Sequence, residues 1–262
     1  VNPKLMGVVN VTPDSFSDGG LYLDAGAAVR HGEELARDGA DILDVGGEST
    51  RPGAEAVSAE EELRRVEPVV AALAAAGHTV SIDTSKAAVA EAALEAGAAI
   101  VNDVTALRGD PQLGALCAER EAGVVLMHMR GEPRTMQRNP VYEDVVDDVK
   151  AFLAERLEAA LAAGIAEEKV WLDPGIGFGK TLAHNLELLL RLGELRELGR
   201  PLVVGASRKS FIGAIDGSPV GERLGGTIAA SVLAAAEGAE LLRVHDVAAA
   251  AQALKLAVAI LG

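Results

Sequence analysis

A chain of 262 residues with a formal net charge of −15 is a poor match for nonspecific nucleic-acid binding, which needs a basic surface, and for anionic membranes. Hydrophobic residues make up 49% of it but aromatics only 3%, so a large core is available and must be built from Ala, Leu, Val and Ile. The single cysteine, Cys117, excludes an intrachain disulfide and reads as an inert core thiol.

In chain order, short β-branched runs alternate with longer Ala/Leu/Glu-rich segments. The pattern predicts strands near 4–10, 41–46, 79–83, 99–103, 123–128, 169–173, 202–206 and 241–244. Helices are expected near 24–38, 58–76, 86–96, 111–121, 142–163, 182–198, 221–237 and 246–261. Strands such as Val124-Val125-Leu126-Met127 are continuously apolar, as buried parallel strands are. Leu63, Val66, Val70 and Leu73 recur at helical spacing. Gly39, Gly77, Gly97, Gly123, Gly164, Gly199 and Gly238 read as helix exits. About eight strand–helix units in a chain of this length predict a single-domain (β/α)₈ TIM barrel, a fold of typically about 250 residues. A doubly wound open sheet is the alternative. No apolar run spans a bilayer without a charge and the start carries no secretory pattern, so a soluble cytoplasmic protein is expected.

In a barrel the chemistry sits where strands end. The strand exits here deliver Asn10, Asp44, Asp83, Asn102, His128, Asp173, Lys209, Arg243 and His245. Asp83 and Asn102 could each cap the following helix. A whole ring of such residues at one mouth points instead to a bound ligand, because crowded charges repel unless something uses them. Two further exits are oxygen-rich loops, Asn10-Val11-Thr12-Pro13-Asp14-Ser15-Phe16-Ser17-Asp18-Gly19 and Gly46-Gly47-Glu48-Ser49-Thr50-Arg51-Pro52-Gly53.

With Ser81-Ile82-Asp83-Thr84, Ile100-Val101-Asn102-Asp103, the stretch from Asp173 to Lys180, Ser207-Arg208-Lys209-Ser210 and Arg243-Val244-His245-Asp246-Val247, these loops make seven ordered segments. The chain thereby resembles the dihydropteroate synthase family from near residue 4 to near residue 247. That resemblance implies condensation of a hydroxymethyl-dihydropterin pyrophosphate with 4-aminobenzoate, and a target for sulfonamide mimics of the latter. Asp173 would accept from the paired donors of the pterin, with Asp83, Asn102, Met127 and Lys209 completing its pocket. Arg243, His245 and Asn10 would hold the departing pyrophosphate. Phe16, Thr50, Arg51, Pro52, Phe178 and Ser210 would contact 4-aminobenzoate. Mg²⁺ would sit near Asn10, Asp18 and Asp44. Asp83, Lys209, Arg243 and His245 form the implied catalytic set. A homodimer is also implied, and the Ala-rich helices 226–237 and 246–261 offer faces for it.

Other readings remain open on the residues alone. Residues 174–181 resemble a phosphate-binding P-loop, but Pro174 stands where its first glycine belongs. A pterin-binding methyltransferase would share the pterin ring, yet has no pyrophosphate for Arg243 and His245 to hold. A catalytically silent pterin-binding paralogue would be expected to lose loop residues that are present here.

Overall fold

The computed structural model describes residues 3–12, 25–49, 54, 56–131 and 135–261. The expected site residues Phe16, Asp18, Thr50, Arg51 and Pro52 lie outside the described residues. Eight parallel strands follow one another in the described residues: β1 (Lys4–Asn10), β2 (Ile42–Gly46), β3 (Val80–Asp83), β4 (Ile100–Asp103), β5 (Gly123–Met127), β6 (Val170–Asp173), β7 (Val203–Val204) and β8 (Leu241–Val244). Between and after them run α1 (Ala25–Arg37), α2 (Ala59–Ala75), α3 (Ala87–Glu95), α4 (Leu113–Glu119), α5 (Val145–Ala162), α6 (Leu182–Leu190), α7 (Ser210–Asp216), α8 (Leu224–Ala236) and α9 (Val247–Leu261). The ladder order is β6-β5-β4-β3-β2-β1-β8-β7. The ring is completed between β6 and β7 by a single bridge, Leu172 with Leu202, and by Leu172 N–H donating to Pro201 O at 3.0 Å. This is the expected (β/α)₈ barrel rather than an open doubly wound sheet.

Strand alternation divides the side chains into two sets. Outward residues such as Val9, Val45, Ile82, Val101, Leu126, Leu172 and Leu242 join the helices in the main core. Val66, Val70 and Leu73 of α2 are fully buried there, each contributing roughly 1.5–3 kcal/mol of apolar burial. Inward residues Met6, Ile42, Ile100, Val125, Val203 and Leu241, with Trp171, fill the lower end of the barrel as a separate apolar cluster. Two residues further along, the inward set becomes polar at Asp44, Asn102, Asp173 and Arg243.

Local chemistry explains the helix boundaries. Ser58 caps α2 by accepting from Glu61 N–H, and Asp144 caps α5 by accepting from Val146 and Asp147 N–H. Thr181 and His184 form a reciprocal capping box on α6. The segment expected as one helix over 182–198 is α6 followed by a 3₁₀ stretch at Leu192–Leu198, since Gly193 weakens α-helix there. The sequence pattern did not foretell α7, whose seven residues carry Gly213 at their centre and stop at left-handed Gly217. Gly123 is not a helix exit. It opens β5, where a Cβ would approach Trp171 Cζ3 to 2.6 Å, so its role is to admit the indole into the barrel. No described helix is long and apolar enough to cross a membrane.

Candidate functional site

By the strand parity that places Met6, Ile42, Ile100 and Leu241 inside the barrel, Asn10, Asp44, Asp83, Asn102, Met127, Asp173, Arg243 and His245 follow on the same side toward the mouth. Four of them form one network. Arg243 Nη2 donates to Asp83 Oδ2 at 2.8 Å, and its Nε to Asp44 Oδ2 at 2.6 Å. Asn102 Nδ2 donates to the same Asp44 oxygen at 3.0 Å. Burial opposes the Arg243 charge, but Asp44 and Asp83 outweigh it and hold its pKa above the ordinary value. For Asp83 burial dominates and raises the pKa, Arg243 opposing and Asp44 reinforcing the shift.

Asp44 was expected as a metal ligand, and its surroundings give it another task. Its side chain is wholly buried one rung below Asp83, since Gly46 pairs with Asp83 and Asp44 with Ser81. One oxygen serves both Arg243 and Asn102, while the other is buried with no hydrogen-bond partner among the described residues. Asp44 therefore orients Arg243 and Asn102. Asn10, half-buried at the end of β1, remains at the mouth. The described residues contain no group of three His, Cys, Asp or Glu side chains able to hold a metal ion.

Across the barrel, Asp173 ends β6 and is buried. Its Oδ1 accepts from Gly175 N–H at 2.7 Å. Burial raises its pKa, opposed first by Lys209, then by the Gly175 hydrogen bond, Arg243 and Lys180. Lys209 occupies the N-cap of α7, and its Nζ donates to Ile176 O. The same ammonium lies 4.5 Å from the centre of the Phe178 ring. Burial pushes its pKa down to about 8, with Asp173 acting the other way. Met127 lies in an apolar patch with Val104, Met129, Met136 and Phe178, a flat flexible floor beside Asp173. Ser210, the first residue of α7, is exposed next to Lys209.

His245 follows β8, and its Nδ1 lies 3.0 Å from Ser207 Oγ, which also accepts from the His245 backbone N–H. His128, read in sequence as part of the ring, departs from it. It stands one residue past Met127, hence on the outer side, packed edge-on against Phe152 at 4.9 Å. Burial drives its pKa down to about 2, so it is neutral.

Several residues around the mouth carried no signal in the sequence. Lys86, at the N-cap of α3, binds Glu48 and the fully buried Glu62, both at 2.5 Å. Glu48 also accepts from Val57 N–H at 3.1 Å, and Arg65 donates to Gly47 O at 2.8 Å. Together these contacts tie both ends of the β2–α2 connection to the barrel. Gly175 is obligatory: its φ is +66°, and a Cβ there would collide with the His128 carbonyl. A partner separated by tens of residues leaves no local pattern, so only the three-dimensional fold reveals these ties.

The comparisons with known proteins agree with this geometry. Residues 6–245 match the family model described as pterin binding enzyme. Dihydropteroate synthase of Neisseria meningitidis serogroup C is 51% identical over 257 residues, spanning 97% of this chain and 91% of that protein. The crystal structure of Yersinia pestis dihydropteroate synthase with a sulfonamide drug superposes with a TM-score of 0.94 at 46% identity, covering 99% of this chain and 94% of that one. The Xanthomonas albilineans enzyme with 4-aminobenzoic acid superposes at 0.93 and 51% identity, covering 99% and 93%. With matches of this identity running over nearly the whole chain and onto the same barrel, the chain belongs to the dihydropteroate synthase family.

Proposed function

We propose that the two walls of the barrel mouth divide the dihydropteroate synthase reaction between them. The chain is a transferase that condenses hydroxymethyl-dihydropterin pyrophosphate with 4-aminobenzoate, giving dihydropteroate and pyrophosphate in folate synthesis. The observation that carries the division is that Asp173 and Lys209 meet on the β6–β7 side of the mouth and Asp44 and Asp83 stand on β2 and β3, with Arg243 on β8 beside Lys209 and bonded across to both carboxylates. Asp173 accepts from the amino group and ring N–H of the pterin, while Lys209 donates to acceptors on its other edge. Met127 floors the ring and Asn102 supplies a further polar contact. Arg243 and His245 bind the pyrophosphate as charge builds on its leaving oxygen. Asp83 faces the exocyclic carbon and stabilises cationic character there as the bond to oxygen breaks. The neutral aromatic amine then attacks this carbon and loses its proton. Phe178 and Ser210 are proposed contacts of 4-aminobenzoate, as are Phe16, Thr50, Arg51 and Pro52, which lie outside the described residues.

Mg²⁺ belongs to this proposal through Asn10, whose amide oxygen suits an ion otherwise held by phosphate oxygens. Asp18 is a further proposed ligand, and Asp44 is not, for the reason given above. When bound, the ion neutralises charge on the pyrophosphate. The test of the function is pyrophosphate release by the purified chain with Mg²⁺, with and without 4-aminobenzoate. Release coupled to dihydropteroate formation supports it. Binding of methyltetrahydrofolate with transfer of its methyl group would overturn it in favour of the methyltransferase reading.

The Lys209 pKa gives a pH signature. If the ammonium must be charged to bind, kcat/KM for the pterin pyrophosphate falls as pH rises through about 8. In Lys209→Arg that limb should vanish, because a guanidinium stays protonated. A limb unchanged in the variant would assign it to another group.

A homodimer also belongs to the proposal. Leu186 and Leu190 of α6, Ile215 of α7 and Leu233 of α8 are exposed together around a cavity of about 510 Å³ floored by Phe211 and Ile212. The interface proposed is the one on α6, α7 and α8; the sequence reading pointed to helices 226–237 and 246–261, and α9 also exposes Leu256 and Ile260. Leu233→Glu should halve the mass measured by sedimentation equilibrium; an unchanged mass would exclude this face. The free, buried Cys117 is compatible with the cytoplasmic location we propose.

A further inference from the structure

Lys180 is the buried charged residue for which the reaction above has no use. It has only 3% of its surface exposed, and the sequence offered it as the lysine of a P-loop. The side chain turns away from the mouth and back into its own loop. Its Nζ contacts Gly175 O at 2.9 Å, Phe178 O at 3.0 Å and His128 Nδ1 at 2.9 Å. The two carbonyls accept from N–H donors of the Lys180 amine, whose pKa burial pushes well below the ordinary lysine value. His128, neutral and itself fixed edge-on against Phe152, meets the same nitrogen through its Nδ1.

The loop so gripped is intrinsically loose. Gly175, Gly177 and Gly179 take φ of +66°, +84° and +62°, so the free chain has many conformations to lose. Yet this loop holds two of the proposed pterin-binding groups. Gly175 N–H donates to Asp173 Oδ1 at 2.7 Å, and Ile176 O accepts from Lys209 Nζ. At its outer edge Gln137 Nε2 donates to Gly177 O at 2.6 Å, and Tyr142 O–H donates to Gly179 O at 2.7 Å.

We propose that Lys180 is a positioning residue for the pterin site: by fastening the Gly175 and Phe178 carbonyls, it holds the 174–179 loop in the conformation that aims Asp173 and Lys209 at the ligand. This rests on the pterin-binding role given above to those two residues. Without the amine the two carbonyls lose their donor inside the protein, and the three glycines are free to relax. The loss then falls first on Asp173 and Lys209, while the hydrogen bonds of Arg243 to Asp44 and Asp83 do not run through this loop.

The test is calorimetric binding of two probes, a bare hydroxymethyl-pterin and inorganic pyrophosphate with Mg²⁺, to the full chain. Lys180→Met should raise the pterin Kd at least tenfold and leave the pyrophosphate Kd within twofold. A folded variant with an unchanged pterin Kd would overturn the proposal, and so would equal losses for both probes, which signal general loosening. Gln137 is exposed, so Gln137→Ala should fold even if Lys180→Met does not. It should weaken pterin binding two- to fivefold with pyrophosphate unaffected; no change there would also overturn the proposal. Wild-type chain that fails to bind the pterin at all strikes the reading of the site itself, a result distinct from any of these.

Discussion

Asp173→Ala is expected to remove pterin binding. The substitution deletes an ionised acceptor for two donors, and each charge-assisted hydrogen bond contributes roughly 1.5–3 kcal/mol. Losing both corresponds to at least about a hundredfold in Kd at about 1.4 kcal/mol per tenfold. The Gly175 N–H that Oδ1 now satisfies also loses its partner, adding to the disturbance of the same wall. Calorimetry with the bare pterin reads the effect, and affinity within threefold of wild type would remove Asp173 from the site. The same group sets the acid side of binding. Burial raises the Asp173 pKa, so the ionised acceptor is lost, and affinity falls, at a higher pH than for an ordinary carboxylate.

Arg243→Met is expected to cost the most stability. Asp44 is fully buried and Asp83 nearly so, and Arg243 donates to both. Removing one partner of a buried ion pair typically costs about 3–5 kcal/mol, because the charge left behind stays desolvated. For a chain of this size about 2–4 °C per kcal/mol applies, so the melting temperature should fall by roughly 6–20 °C. A shift under 2 °C would show that the network contributes little. The variant should also weaken the pyrophosphate-bearing pterin more than the bare pterin. His245→Ala tests that phosphate role without emptying the network, and equal losses for both ligands would deny it.

Much of this was legible in the sequence because parallel barrels repeat one simple unit. Continuous apolar runs located the strands, and each strand's end marked a place at the mouth. Parity decided what could not be read. Met127 and His128 are adjacent, yet a strand alternates its faces, so one faces the barrel mouth and the other packs behind it against Phe152. The tie between Asp44 and Arg243 joins residues 199 apart, and no local pattern announces it. Lys180 resembled a ligand-binding lysine because its neighbours are glycines. Those glycines instead bend the backbone far enough for the lysine to reach its own loop. Gly123 looked like a stop signal because glycine so often is one, while the indole it makes room for lies 48 residues away on the next strand.

The barrel is not equally strong all round. Most neighbouring strands share several rungs, but β6 and β7 meet through one bridge, Leu172 with Leu202, and one flanking backbone bond. Asp173 ends the first of these strands, and Lys209 lies just past the second. On the reading proposed above, a pterin held by both would stand across the joint like a stitch across a seam, with the Ile176–Lys209 bond as the thread already in place. Substrate and scaffold would then be mutually supporting: the ligand that the barrel orients would also draw its weakest join together.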